Sequence, residues 1–291
     1  MAISPGKRSG TAPSASLKAP RLPTVGNVLP ALSASPRSGV LTGWGNAWLA
    51  GLVGLDDVIT QMHRALGGEA APHTLGDEPL VLGLGALRSA GAQRLRLVLP
   101  APGDATGLPG PAEVNRDAIT AGEAIIVIGP NPPLVLVPGV VVHGPALEGR
   151  LESVHWRVLV ASRVPPPGAG LRAAEHDLSN AIRTTTAALI DLDIASARPE
   201  VLALLRDRGV DDPGPGLGPG HPPGAHALLA RAERLSTLLD LAARDDGAAV
   251  TASEIARRSA ALRNLSAAVR RAYAAAYDAF DPTYAPVPPS N

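Results

Sequence analysis

Cysteine is absent from the 291 residues, which excludes disulfide frameworks, thiolate zinc sites, iron–sulfur clusters and cysteine nucleophiles. A reducing cytoplasm suits such a chain. Aromatic side chains are scarce, with three Trp, three Tyr and one Phe, too few for base-stacking platforms or carbohydrate-binding strips. Lysine occurs only at Lys7 and Lys18, so none is placed for a phosphate-transfer loop. No run approaches the roughly 20 apolar residues of a membrane span, and the N-terminus has no apolar secretory core. Charge is balanced, 26 basic against 26 acidic side chains, so no overall field draws the chain to nucleic acid or a membrane surface.

What is present is an aliphatic chain, 45% hydrophobic and punctuated by 31 Gly and 30 Pro, long enough to bury a substantial core. Residues 1–38 are rich in Ser, Pro, Ala and Gly and carry Lys7, Arg8, Lys18, Arg21 and Arg37 before the first acid, Asp56. They read as a disordered basic tail, an overextended start or a weak hold for an anionic partner such as nucleic acid. From Leu41 the apolar residues Trp44, Trp48, Leu52, Leu55, Ile59, Met62 and Leu66 recur at helical spacing. The intervening glycines divide them into one helix to about Ala50 and a second over about 55–66, with Asp56 and Asp57 in the second's first turn.

Next comes a repeated pattern. Pro79 opens a helix that Gly91 stops before a strand, Arg94-Leu-Arg-Leu-Val-Leu99, and Pro111 opens another that Gly122 stops before the strand Ala124-Ile-Ile-Val-Ile128. The order strand, helix, strand predicts a β-α-β unit with its two strands parallel. Further strands are expected at 134–137, at 140–143 beyond the Pro138-Gly139 break, and at 154–163, the last a hairpin partner for 140–143 in a register the sequence leaves open, His143 facing His155 being one of the registers.

Pro165-Pro-Pro-Gly168 ends the sheet. Helices are predicted over about 171–193, from Pro199 to about Arg208, over 228–242, and from a Thr251/Glu254 capping box along the stripe Ile255, Leu262, Leu265, Val269, Tyr273, Ala276 and Phe280. The Pro/Gly-rich segment 211–224 is neither helix nor strand and reads as a mobile loop. The arginines of the last helix, Arg257, Arg258, Arg263, Arg270 and Arg271, read as an ordinary wet face. The fold class is therefore α+β: a small mixed sheet with a β-α-β core and flanking helices over 39–164, followed by a C-terminal helical bundle over 165–281 and a flexible end at 282–291.

The candidate site is the loop edge 100–116. If the two strands are parallel, the loop after 94–99 and the segment Gly129-Pro-Asn131 leave the sheet on one rim, where open α/β sheets form ligand crevices. Asp104 and Thr106 are its polar probes, Asn115, Arg116 and Asn131 converge if the helix phase allows, and free N–H groups at 111–114 favour a small anionic ligand. The alternative is that Asp104 only builds a turn. Gly83-Leu-Gly85 lacks the third glycine and the crossover of a dinucleotide fingerprint, so no cofactor is expected. The seven histidines lack metal-ligand spacing, so no metal is expected either.

Trp48-Leu-Ala-Gly51 with Leu55-Asp-Asp57, the stretch Leu95 to Asp104 with Gly107-Leu-Pro-Gly-Pro111, and Ala121-Gly-Glu-Ala124 resemble a group of uncharacterised actinobacterial proteins over roughly 40–280. The resemblance implies an architecture and a bacterial cytoplasmic setting, with no activity, cofactor or catalytic residue. Absence of a paired catalytic constellation favours a soluble, cytoplasmic, non-enzymatic interaction or regulatory module that docks a protein partner through its helical faces or a small regulator at its loop edge. The alternative is a small-ligand-binding protein or enzyme working at 100–116.

Overall fold

The computed structural model describes residues 36–65, 72–143, 151–191, 216–243 and 251–285. The tail through residue 35, the short helix expected after Pro199, the first part of the Pro/Gly segment and residues 286–291 lie outside the described residues. The chain is α+β. In order come α1 (Arg37–Leu49), α2 (Leu55–Arg64), β1 (His73–Leu75), β2 (Glu78–Pro79), α3 (Leu80–Ser89), β3 (Arg94–Val98), α4 (Ala112–Ala121), β4 (Ala124–Ile128), β5 (Leu134–His143) and β6 (Leu151–Val160). Three long helices follow, α5 (Leu171–Asp191), α6 (Pro223–Ala243) and α7 (Ala252–Asp278).

The strands form one mixed sheet in the order β2-β1-β6-β5-β4-β3. Alternation sorts its side chains: Leu95, Ile125, Val127, Leu136, Val154 and Trp156 pack with α1, α2 and α3, while Val98, Ala124, Ile126, Val135 and Val137 pack with Leu108 and with Val114 and Ala118 of α4. Trp156 is fully buried and its Nε1 donates to Nδ1 of His73 at 3.2 Å. Leu97 and Leu99 of the edge strand and its exit belong instead to the core shared by α5, α6 and α7.

Local signals in the sequence explain the element ends. Gly91 and Gly122 both adopt the positive φ that a helix stop requires, and Thr251 and Glu254 make the reciprocal capping box at the start of α7. Nearly every residue of α1 from Ser38 to Trp48 is buried, because α1 lies between sheet, α7 and the segment 216–220. A β-carbon at Gly43 would stand 2.4 Å from the carbonyl oxygen of Leu217, so only glycine permits that approach. Asn46 of α1 grips the edge strand, its Oδ1 accepting from the N–H of Leu95 at 2.7 Å and its Nδ2 donating to the Leu95 carbonyl at 2.9 Å.

Several expectations are corrected. β3 and β4 are antiparallel, with Val98 opposite Ala124 and Arg94 opposite Ile128. The reason is one extra traverse of the sheet. After β3 the loop 99–111 runs the length of the strands to Gly110, whose carbonyl accepts from Ser162 N–H beyond the end of β6, and α4 then returns to the starting end. The strand order β3-α4-β4 is as expected, but the helix is not the only return path. The strands expected at 134–137 and 140–143 are one, β5: β4 accompanies it only to Leu136, and a proline is tolerated where the ladder has ended on one side. On the β5–β6 hairpin His155 lies opposite Gly139 and His143 opposite Leu151, so the histidines do not face each other. β6 ends at Val160 rather than Arg163. Ile255 leaves the buried stripe of α7 and is 42% exposed. Residues 216–222 of the Pro/Gly segment are packed, with Leu217 fully buried.

Candidate ligand cleft

β3 is the edge of the sheet, and α7 runs beside it. Along β3 the side chains alternate, so Arg94 and Arg96 share the face of Val98, away from Leu95 and Leu97. The exit loop of β3, the proline-rich segment after β6 and the C-terminal half of α7 enclose a cleft of about 500 Å³ against that face. Its walls are aliphatic and proline, from residues such as Leu99, Leu108, Pro165 and Ala274. Its charges are four arginines, Arg96, Arg163, Arg270 and Arg271, against two acids, Asp104 and Asp278.

Arg270 is the deepest of these cations, 7% exposed. Its Nη1 donates to Ser266 Oγ, one helical turn back, at 3.0 Å, and its Nη2 donates to Asp104 Oδ2 at 3.1 Å. Its Nε is buried without a hydrogen-bond partner. Arg96 donates from Nη1 to the carbonyl of Pro165 at 2.7 Å and holds its Nε 3.4 Å from Asp278 Oδ2. Arg94 donates to the backbone carbonyl of Asp278. Burial pushes the Asp278 carboxyl up to about 6, against the pull of Arg96 and Arg94, and its Oδ1 has no hydrogen-bond partner. Arg163 and Arg271 stand exposed at the rim.

Asp104 has two roles at once. Oδ1 accepts from the Thr106 N–H at 3.3 Å, a turn of the kind aspartate builds locally, while Oδ2 carries the ion pair to Arg270. Burial raises its pKa, but the hydrogen bonds from Thr106 and Arg270 outweigh that and hold the carboxyl below its ordinary value. Asp104 and Thr106 therefore come together in the cleft. Asn115 does not: its Oδ1 accepts from Gly110 N–H at 2.8 Å at the start of its own helix. Arg116 is exposed on α4, and Asn131 is exposed in the β4–β5 connection. The shared rim expected for the two loops does not exist, because antiparallel strands put the exits of β3 and β4 at opposite ends. Among the described residues no group of His, Asp and Glu side chains is arranged to hold a metal ion, and no helix is long and apolar enough to cross a membrane.

The N-terminal domain of Rv1486c-like proteins matches residues 38–174, and their C-terminal domain matches 172–274. The chain belongs to the Rv1486c-like family. Rv1486c of Mycobacterium tuberculosis strain H37Rv is 32% identical over 270 residues, 79% of this chain and 91% of that protein. A Mycobacterium leprae relative is 30% identical over 201 residues, 55% of this chain and 67% of that protein. Both are described as uncharacterized proteins. No solved structure matches. In this Rv1486c-like chain the cleft lies where the two family domains meet in space, since β3 and its loop come from the first and Arg270 and Arg271 from the second.

Sequence reasoning missed Arg96, Arg270 and Asp278. A signal existed for two of them. Arg94 and Arg96 stand in strict alternation with Leu95 and Leu97, which puts two cations on one side of a strand. Arg270 follows Ser266 by four residues and precedes Tyr273 by three, on the buried side of α7. Asp278 carried no comparable signal, since an acid at a helix end is ordinarily solvated.

Proposed function

We propose that this protein is a cytoplasmic, non-enzymatic binding module that takes a small anionic molecule with an apolar body into the cleft between β3, its exit loop and α7. The observation that carries this reading is the guanidinium of Arg270, a nearly fully buried residue that lines the cleft and whose Nε is buried without a partner. A buried cation whose hydrogen-bonding capacity is incompletely used favours an incoming oxyanion. Two further arginines at the rim give the cleft an excess of positive charge that attracts such a ligand. The size agrees with a small-molecule site, for which a few hundred to about 1,000 Å³ is usual.

Native mass spectrometry of the full chain purified from its source organism tests this. The expected spectrum shows a retained small anion that is lost from the Arg163→Gln/Arg271→Gln double variant, whose substitutions lie at exposed positions. A bare chain, or an adduct held equally by the variant, contradicts the reading.

A further inference from the structure

The pairing of Arg270 with Asp104 is lopsided. On a guanidinium, Nε and Nη2 lie along one edge and form the fork that a two-oxygen anion fills side-on. Asp104 reaches only Nη2, at 3.1 Å, because its other oxygen is committed to Thr106 N–H; Nε on the same edge is left buried and unpartnered. Besides Ser266 of its own helix, this deep cation takes its acidic partner from a surface loop 166 residues away in sequence.

That loop is built as a small unit of its own. Ala101 and Asp104 exchange two backbone hydrogen bonds, Ala101 N–H to Asp104 O at 3.0 Å and Asp104 N–H to Ala101 O at 2.8 Å, which close the turn around Pro102 and Gly103. Pro102, Gly103, Ala105, Thr106 and Gly107 are all exposed, so between the buried Ala101 and Leu108 the Asp104 side chain is the loop's anchor to the cleft.

We infer that Asp104 is a built-in stand-in for the ligand's anionic group: a carboxylate or phosphate oxyanion displaces it from Arg270 and fills both donors of the Nε/Nη2 edge, and the 101–107 turn lifts as it does. This rests on the proposed anion-binding function and adds its regulation, an internal competitor that sets the ligand concentration at which the cleft opens. The ligand exchanges one charge-assisted bond for two, so displacement discriminates against neutral molecules and against anions that present a single oxygen.

The test uses 8-anilinonaphthalene-1-sulfonate, one oxyanion on an apolar body, titrated by fluorescence into the full chain. Asp104→Asn and, as a second loop variant, Asp104→Ser remove the competing charge and are expected to bind the probe about tenfold more tightly, a change of roughly 1.4 kcal/mol. Adding Arg270→Gln to Asp104→Asn is expected to abolish that gain, and Arg163→Gln/Arg271→Gln to weaken binding in every background. Circular dichroism and thermal midpoints establish that each variant is folded. If the rim variant weakens the probe but both Asp104 variants bind no better than the wild type, the stand-in role fails while the binding cleft survives. If probe binding ignores the rim variant, the proposed function fails with it.

Discussion

His73 and Asp278 are two ionisable side chains shifted by burial, and their surroundings differ in kind. His73, beneath the sheet's helical cover, is 6% exposed, accepts from Trp156 Nε1 and has its Nε2 unpartnered. Burial, with the nearby charges of His63 and Arg37, pulls its pKa down to about 4, so at neutral pH it is an uncharged member of an aliphatic core. Asp278, at the seam with α7, is raised only to about 6 because two arginines oppose its burial, so at neutral pH it is ionised. The first site accommodates a polar group by discharging it, and the second maintains charge of both signs in a partly enclosed space. Sites of the second kind are costly to the fold and are common where ligands bind.

The sharpest way to break this contrast is at Trp156. Trp156→Ala empties the centre of the first region and is expected to cost about 3–5 kcal/mol of stability, read as a lowered denaturant midpoint. If the loss is instead comparable to that of an exposed substitution, the sheet half is not the dry core described.

Acidity sharpens the same contrast. The His73 pKa is lower in the folded chain, so its contribution is full above about 6.5 and is lost as pH falls through about 4. The Asp278 pKa is higher in the folded chain, so its contribution is present below 3.8 and is lost as pH rises through about 6. Between pH 4 and 6 the two oppose each other, each by roughly 1–3 kcal/mol. Urea unfolding across that range is expected to show stability falling with rising pH in His73→Gln, and falling with declining pH in Asp278→Asn. Parallel profiles in the two variants would contradict the assignment.

Much of the local structure was legible in the sequence. The split between α1 and α2, the helix stops at Gly91 and Gly122, and the Thr251 box each depend on a few adjacent residues whose backbone chemistry decides the outcome. The direction of β4 was not legible, because it depends on how many times the chain crosses the sheet between Val98 and Ala124, and an irregular loop that runs the whole strand length has no periodicity to betray it. The same miscount put Asn131 beside Asp104. The cleft was half legible: Asp104 and Thr106 announce a polar turn, whereas their partner Arg270 lies 166 residues on, among arginines that face solvent.

The smallest expected effect tests whether the far end of α7 concerns the cleft at all. Thr251→Ala removes the box and is expected to cost about 1 kcal/mol while leaving 8-anilinonaphthalene-1-sulfonate binding unchanged. A weakened probe would mean that the start of α7 sets the position of Arg270, 19 residues further along the same helix.

Asn46 has a consequence for biosynthesis. Leu95 lies on the edge strand β3, which pairs with a strand on one side alone, and both its backbone groups are already occupied by one amide. Asn46 precedes Leu95 by 49 residues, so on a nascent chain the guard is made well before the strand it protects.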